Sequence, residues 1–294
     1  MGLNDSDIQE TDIKRFHEAI TEYSAYDFSD YSVNSIKRRL FKIMEEYGTD
    51  MNRLIKIISN DAPALEEVVK KLTVNTTELF RDPPVWKSIL HHLLTSFNDQ
   101  STIRIWHPGC STGQEVYSMM ILLDQVGLLQ RSDIFASDIN TDVMEIAKKG
   151  TYRLRFNREY VENFDKVFSE EVNIVSGIEF APHEKYLTIE EIKDRISMQT
   201  FLRKKPIYKK IDLVKDNHHI HQKFDIVICR NVIIYFNYAL QNRVLHQFHR
   251  TMNRNGLLVL GSHESIIGPC RDLFGKKDIL YVRKPEKNNA AVDK

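Results

Sequence analysis

The sequence predicts an α/β fold in which a helical N-terminal unit precedes a doubly wound, parallel sheet. Two observations predict the sheet: strand and helix patterns alternate after residue 85, and the run Phe224–Cys229 is apolar enough for a central strand buried on both faces. A third predicts the helical unit, because apolar residues before Pro83 and Pro84 recur at three- and four-residue spacing. Proline disfavours helix in the residue before it, so we place the boundary at this turn. The predicted domains are residues 1–84, residues 85–284 and a disordered polar tail, residues 285–294.

Four helices are predicted in the N-terminal unit. Each has one apolar face, and in the second helix Ser32 is placed to cap a segment whose apolar side includes Ile36 and Leu40. The other side of this helix is basic, and such a cluster is ordinarily a solvated helix face. Its members are Lys37, Arg38, Arg39 and Lys42. The other predicted helices are Asp12–Tyr23, Met51–Ile58 and Ala62–Leu72.

Strands and helices alternate along the predicted sheet domain. Its elements are helix Val85–Phe97, strand Ile103–Trp106, helix Val116–Leu129, strand Ile134–Ser137, helix Thr141–Lys149, strand Phe224–Cys229, helix Tyr238–Met252, strand Leu257–Gly261 and a closing strand Ile279–Arg283. Thr141 is the predicted cap of its helix, and Asn255-Gly256 is a predicted turn. The charged stretch Tyr152–Tyr208, which contains the β-prone piece Val172–Val175, is interpreted as an insertion.

The turn between the first strand and its helix predicts a nucleoside-binding site. Gly109 and Gly113 accept positive φ and let a ligand approach the backbone closely. Asp138 ends the next strand, and an acidic residue about 20 residues beyond such a turn holds ribose hydroxyls, although the spacing here is slightly longer. No P-loop lysine follows Gly113, which disfavours a triphosphate. A nucleoside-bearing cofactor without a triphosphate fits better, and S-adenosylmethionine (SAM) is the leading candidate.

Composition limits the remaining classes of function. The 294 residues carry 41 basic and 41 acidic side chains, and this balance disfavours nucleic acid as a partner. The three scattered cysteines indicate a reducing cytosol, with neither disulfides nor a zinc site. We recognise no signal peptide and no run long enough to span a bilayer, so we expect a cytoplasmic protein without direct membrane insertion. His218, His219 and His221 match no standard metal site, and no metal is predicted.

Five stretches together resemble the chemoreceptor glutamate O-methyltransferases of the CheR type. They occur in the order that this family shows, and five in register are highly specific. The stretches are Asn75–Asp82, Gly109–Tyr117, Ala136–Asn140, Phe224–Phe236 and Gly256–Glu264. The resemblance implies a Rossmann-like, SAM-dependent methyltransferase domain, an N-terminal helical domain that docks on receptors, and a small β-subdomain inserted within Tyr152–Tyr208. In some similar proteins that subdomain binds a receptor's C-terminal peptide by strand addition. Only Gly177 lies in the region here, which disfavours such a contact.

The resemblance also implies roles for residues at the cofactor. Gly109 belongs to the glycine turn, Glu115 would hold the amino group of the methionine moiety, and Asp138 would take the ribose hydroxyls. Gln114 stands where the family commonly has a glutamate, so the carboxylate role is placed on Glu115. The remaining cofactor-binding residues that the resemblance implies are Asn75, Thr77, Arg81, Asp212, Leu213, Arg230 and Asn231.

Two residues are expected at the chemical step. Arg81 would orient the acceptor, and Tyr235 is the residue that the family places nearest the reacting methyl group. A glutamate has a pKa of about 4.3 and is already ionised at neutral pH, so no general base is required. The basic face from Lys37 to Lys42 then becomes a docking surface, because receptor methylation regions are helical and rich in glutamate.

Two other functions stay open from the sequence. A non-catalytic adaptor that binds SAM or its product S-adenosylhomocysteine (SAH) is the first alternative, although a degenerate site would be expected to lose some of Asn75, Arg81, Asp138 and Tyr235. A methyltransferase for nucleic acid or a small molecule is the second, and the zero net charge and the lack of an aromatic-rich basic groove disfavour nucleic acid. A monomer is expected, with the cytoplasmic helices of chemoreceptors as partners.

Overall fold

A computed structural model describes residues 8–73, 76–97, 101–215, 220 and 222–285 of the chain. Contacts between residues divide the protein into two compact units, which we call the helical unit and the sheet unit. The helical unit comprises residues 1–74, 214–216 and 232–244, and the sheet unit comprises residues 75–213, 217–231 and 245–294. This division differs from a single boundary at residue 84, because two later segments belong with the N-terminal helices. Asn75, His218, His219, His221 and the predicted tail from residue 286 onward lie outside the described residues.

Four amphipathic helices form the helical unit, as the sequence predicts. They are α1 (Glu10–Tyr23), α2 (Val33–Tyr47), α3 (Met51–Asn60) and α4 (Ala62–Leu72). The side chains of Asp50 and Asp61 accept hydrogen bonds from the first turns of α3 and α4. Ser32 occupies the N-cap position of α2, as predicted, but its side chain makes no capping hydrogen bond. Gly48, with φ of 58°, ends α2 in the left-handed conformation that glycine accepts readily.

The segment 232–244 is joined to the N-terminal part of the helical unit through its backbone. Tyr31 and Phe236 form an antiparallel bridge, and Ser32 N donates to Tyr235 O at 2.8 Å. The guanidinium of Arg243 pairs with the carboxylate of Asp30 at 2.8 Å. These contacts fix Tyr235 against the loop that precedes α2.

The sheet unit contains one seven-stranded sheet and one three-stranded sheet. Its helices are α5 (Pro83–Ser96), α6 (Gln114–Gln125), α7 (Thr141–Lys149), α8 (Glu159–Val167), α9 (Glu170–Ser176), α10 (Thr200–Arg203) and the second half of α11 (Tyr238–Thr251). Its strands are β1 (Ile103–Pro108), β2 (Ser132–Asp138), β3 (Thr151–Arg153), β4 (Leu187–Glu190), β5 (Arg195–Met198), β6 (Ile207–Lys210), β7 (Phe224–Cys229), β8 (Met252–Leu260), β9 (Phe274–Lys277) and β10 (Leu280–Arg283).

The larger sheet runs in the order β6-β2-β1-β7-β8-β10-β9. Its first five strands are parallel, while β10 and β9 pair antiparallel. Both faces are covered: Ile105 belongs to the core that includes α5 and α6, whereas the ring of Trp106 packs on Phe224 and on Phe248 of α11. The fold is therefore a Rossmann-like α/β fold, and β7 is central, as predicted.

Four local predictions need correction. The cap of α7 is Asn140, whose side chain accepts from Asp142 N, and not Thr141. Val172–Val175 lies in helix α9, so its β-branched residues do not form a strand. The predicted closing strand, β10, does not form the edge of the sheet. It lies between β8 and the edge strand β9, to which it is connected by a two-residue turn at Asp278. The predicted turn at Asn255-Gly256 is instead an irregularity within β8, where the pairing with β7 shifts.

The predicted insertion contains the three-stranded sheet, in the order β3-β5-β4, together with α8 and α9. Its predicted end at Tyr208 is too late, because Ile207–Lys210 forms β6 at the edge of the large sheet. No helix within the described ranges is long and apolar enough to cross a membrane.

Candidate active site

The glycine turn follows the carboxyl end of β1 and is hydrogen-bonded to the carboxyl end of β2. The backbone amides of Gly109 and Cys110 both donate to Ser137 O, at 2.8 and 2.9 Å. Gly113 has φ of 89°, and a Cβ added there would lie 2.6 Å from the Cβ of Ala147. Glycine is therefore required at this position for its conformation and for its packing against α7.

Asp138 lies at the end of β2 and is 8% exposed. One of its carboxylate oxygens accepts from Ser111 N and the other from Asn140 N, each at 2.9 Å. Burial raises the pKa of Asp138, and these backbone hydrogen bonds oppose that rise. A carboxylate can accept about four hydrogen bonds, and the backbone of Ile139 also contributes one, so the Asp138 carboxylate retains capacity for a ligand hydroxyl.

Arg230, directly after β7, forms the centre of a buried charge network. Its side chain is 1% exposed, and its two terminal nitrogens reach Glu115 Oε2 at 3.2 Å and Asp82 Oδ2 at 2.7 Å. The nitrogen that binds Asp82 also donates to Arg81 O at 2.9 Å. One cation therefore neutralises one of two carboxylates, and the network retains one negative charge.

The adjacent positions Gln114 and Glu115 face different surroundings. Gln114 is buried, and its amide donates to Tyr160 OH and accepts from Thr112 Oγ1, both at 2.7 Å. Glu115 instead faces Arg230 and the ring of His107. Both polar atoms of the Gln114 side chain thus hydrogen-bond within the protein, whereas Glu115 contributes a charge at the site.

The sheet unit contains most of the other cofactor-binding residues that were predicted. Thr77, Arg81, Asp212 and Asn231 are half-buried, and Leu213 is buried. Within the described ranges no side chain pairs with the guanidinium of Arg81.

Two residues at the site were not predicted from the sequence. His107, near the end of β1, is fully buried, and its Nδ1 lies 3.6 Å from Glu115 Oε1. Glu264 is buried as well, and its Oε2 accepts from Asn231 N at 2.8 Å and from Gly261 N at 2.7 Å. Asn231 has φ of 58°, so Glu264 fixes a left-handed residue directly after Arg230. Glu264 belongs to one of the five stretches that resemble the family, so the sequence could have indicated it as a site residue. His107 lies outside these stretches, and nothing in the sequence indicated it.

The helical unit brings Tyr235 together with three of the predicted docking residues. An open cleft of about 420 Å³ is lined by Ser35, Arg38, Arg39, Phe41, Lys42 and Tyr235. Lys37 is not part of this lining. Among the residues that the structure describes, none forms an ion pair with the three basic side chains of the cleft, so their charges are available to a ligand.

Two cysteines of the sheet unit are buried thiols. Burial raises the pKa of Cys110 and of Cys229 well above the usual range, which keeps both thiols protonated. No group of three or more histidine, cysteine, aspartate or glutamate side chains there is arranged to hold a metal ion.

Comparisons with known proteins identify the family to which the chain is similar. Residues 75–278 match the family described as CheR methyltransferase, SAM binding domain. The chain is 35% identical over 257 residues to "Putative methyltransferase Cher3" of Pseudomonas putida, covering 87% of this chain and 89% of that protein. It is 25% identical to the "Chemotaxis protein methyltransferase" of Listeria monocytogenes, over 89% of this chain and 92% of the relative. It is 24% identical to the protein of that name from Salmonella typhimurium, over 95% of this chain and 92% of the relative.

Proposed function

The chain belongs to the CheR methyltransferase family, and we propose that it methylates glutamate side chains of chemoreceptors to give glutamyl methyl esters. It is a SAM-dependent methyltransferase, and its cofactor is SAM, because the SAM-binding domain covers most of the sheet unit. The choice of a carboxylate as acceptor is supported above all by the cleft in the helical unit, where Arg38, Arg39 and Lys42 surround Tyr235.

The residues at the strand ends fit the chemical groups of SAM. The network around Arg230 retains one negative charge, which the ammonium group of a methionine moiety would neutralise at Glu115. The Asp138 carboxylate retains hydrogen-bond capacity for a ribose hydroxyl beyond the bonds that it accepts from the backbone. Bound SAM supplies an electrophilic methyl group, which a carboxylate oxygen accepts while the sulfonium charge disappears.

The chain's own residues then act by positioning. A glutamate carboxylate is ionised at neutral pH, so none of them has to remove a proton. The acceptor's charge is lost in the transition state, and groups that held it too tightly would stabilise the reactants. The cations of the cleft therefore suit capture of an acidic helix, while Arg81 and Tyr235 orient the reacting groups.

The biological setting is also part of the proposal. Relatives over nearly their whole lengths are called chemotaxis protein methyltransferases, which supports a role in chemotactic adaptation. The substrate would be the cytoplasmic, glutamate-rich helices of chemoreceptors, and the enzyme would act in the cytoplasm as a monomer. A domain arrangement with receptor docking on residues 1–84 follows from the same proposal.

The test combines cofactor binding with identification of the product. Titration calorimetry should show that SAM and SAH bind and that Asp138→Ala abolishes binding. Incubation of a receptor cytoplasmic fragment with methyl-labelled SAM should then give label that alkali releases as methanol, which identifies carboxyl esters. Binding without any transfer would leave a SAM-binding adaptor, and alkali-stable label would indicate a different acceptor.

Tyr235→Phe tests the role of the hydroxyl. We expect kcat to fall by several-fold, in line with the loss of one hydrogen bond, while the Kd for SAM stays within about twofold. Tyr238→Phe is the matched control, because Tyr238 is exposed and does not line the cleft. Equal kcat values for the wild type and Tyr235→Phe would remove this role.

A further inference from the structure

His107, in β1, is a fully buried histidine. Neither Nδ1 nor Nε2 has a partner among the described residues. Leaving a buried polar group unpaired is costly, and an orphaned group in a native site calls for an explanation. The acceptor that the structure offers is Glu115 Oε1, which lies 3.6 Å from Nδ1, just beyond hydrogen-bond distance.

The backbone holds His107 rigidly in this place. β1 pairs with β2 on one side, where His107 lies opposite Ala136, and with β7 on the other side. Side chains two residues apart on a strand share a face, so His107 points to the side of Ile105, whose side chain belongs to the core with α6. Glu115 lies in the first turn of α6. The ring therefore adjoins the carboxylate as a direct result of the strand–turn–helix geometry.

The two oxygens of Glu115 have different neighbours. Arg230 holds Oε2 but is shared with Asp82, whereas the ring of His107 lies beside Oε1. Hydrogen bonds at active sites are often long in the free protein and tighten when the ligand is present. A hydrogen bond from Nδ1–H to Oε1 would fix the rotation of the Glu115 carboxylate, which the contact of Arg230 with Oε2 does not fix by itself.

We propose that His107 is a positioning residue, which donates from Nδ1–H to Glu115 and aims this carboxylate at the amino group of SAM. The inference rests on the role proposed above for Glu115. His107 does not touch the cofactor, because its ring is fully buried, and it acts through Glu115 alone. Its contribution is therefore confined to ligands that carry the amino-acid moiety.

Two adenosine ligands separate positioning from general support of the fold. SAH carries the amino-acid moiety, whereas 5′-methylthioadenosine has the same nucleoside and thioether but lacks it. In His107→Leu we expect the Kd for SAH to rise about tenfold, as for loss of a hydrogen bond to a charged group, while the Kd for 5′-methylthioadenosine stays unchanged. Titration calorimetry on the full chain measures both constants.

Two amide variants test which ring nitrogen is responsible. His107→Asn places an amide nitrogen at the distance of Nδ1 from the backbone, whereas His107→Gln places it one carbon farther out. We expect His107→Asn to restore SAH affinity to within about twofold and His107→Gln to resemble His107→Leu. Thermal unfolding checks each variant, and the two polar variants carry the test if His107→Leu does not fold.

The outcomes distinguish this inference from the role of Glu115. In Glu115→Gln, SAH affinity should fall while binding of 5′-methylthioadenosine is kept, and adding His107→Leu should lower SAH affinity no further. Unchanged SAH affinity in Glu115→Gln would overturn the role of Glu115 and the inference with it. Loss in Glu115→Gln without loss in His107→Leu or His107→Gln would overturn the inference alone. An equal loss of both ligands in the His107 variants would also overturn it, because it would show a structural role.

Discussion

The charges at the strand ends and the charges of the cleft differ in how they are held. Arg230 has a side chain 1% exposed and binds two carboxylates together with a backbone carbonyl. Arg38 and Lys42 are exposed and form no ion pair with any described residue. Removing a charge from water costs several kcal/mol, so a buried charge persists only when partners surround it. The first set can therefore hold a small ligand in one geometry, whereas the second can attract a large acidic partner over a distance.

Substitution of Arg230 should have the largest effect. Arg230→Met leaves Asp82 and Glu115 without their shared partner, so we expect the free energy of unfolding to fall by about 3–5 kcal/mol. Urea denaturation followed by circular dichroism measures this change. Lys148→Met is the control, because Lys148 is half-exposed and its pair with Glu145 should contribute less than about 1 kcal/mol. If the free energy of unfolding fell by less than about 1 kcal/mol in both variants, burial would not make the ion pairs of Arg230 more stabilising than the exposed pair of Lys148 and Glu145.

Asp138 tests whether a buried charge of the sheet unit binds a ligand. Asp138→Asn should weaken SAM binding by about 1.5–3 kcal/mol, because the hydroxyls of the ligand would lose a charged acceptor. Binding requires the ionised carboxylate, and burial raises its pKa. Affinity in the wild type should therefore fall as pH decreases, beginning at a higher pH than for an exposed aspartate.

A calorimetric pH series on two variants assigns this dependence. Asp138→Asn should lose the component of the pH dependence that belongs to Asp138, whereas Asp142→Asn should keep the profile of the wild type, because Asp142 is exposed. An unaltered pH profile in Asp138→Asn would show that the dependence does not belong to Asp138.

Local patterns were sufficient to predict the site residues that terminate strands. Asp138 ends a run of β-prone residues, and Phe224–Cys229 is apolar except at Asp225, so both could be placed without knowledge of the fold. The network around Arg230 could not be predicted, because Asp82 lies 148 residues away along the chain. His107 is similar: a lone histidine before a proline has no local signature, and its relation to Glu115 arises only when β1 and α6 pack together.

Tertiary pairing explains the errors in the fold prediction. Val172–Val175 has high β-propensity, but it forms part of helix α9, since propensity is a weak determinant when tertiary context opposes it. The order of β9 and β10 depends on which strand of a hairpin pairs with β8, and both strands are equally short. The segment that contains Tyr235 belongs to the helical unit through contacts with Asp30–Ser32, about two hundred positions earlier in the sequence.

Charge reversal in the cleft should have a smaller effect that depends on salt. We expect Arg38→Glu/Arg39→Glu to lower kcat/KM for a receptor fragment about tenfold at low ionic strength, with a smaller difference at high salt, because exposed charges are screened. The Kd for SAM should not change, because the sheet unit contains the predicted cofactor contacts. Lys14→Glu/Arg15→Glu on α1 changes the net charge by the same amount at exposed positions outside the cleft. If both double variants lost the same activity, net charge alone would steer the receptor. A loss confined to Arg38 and Arg39 would assign docking to the cleft itself.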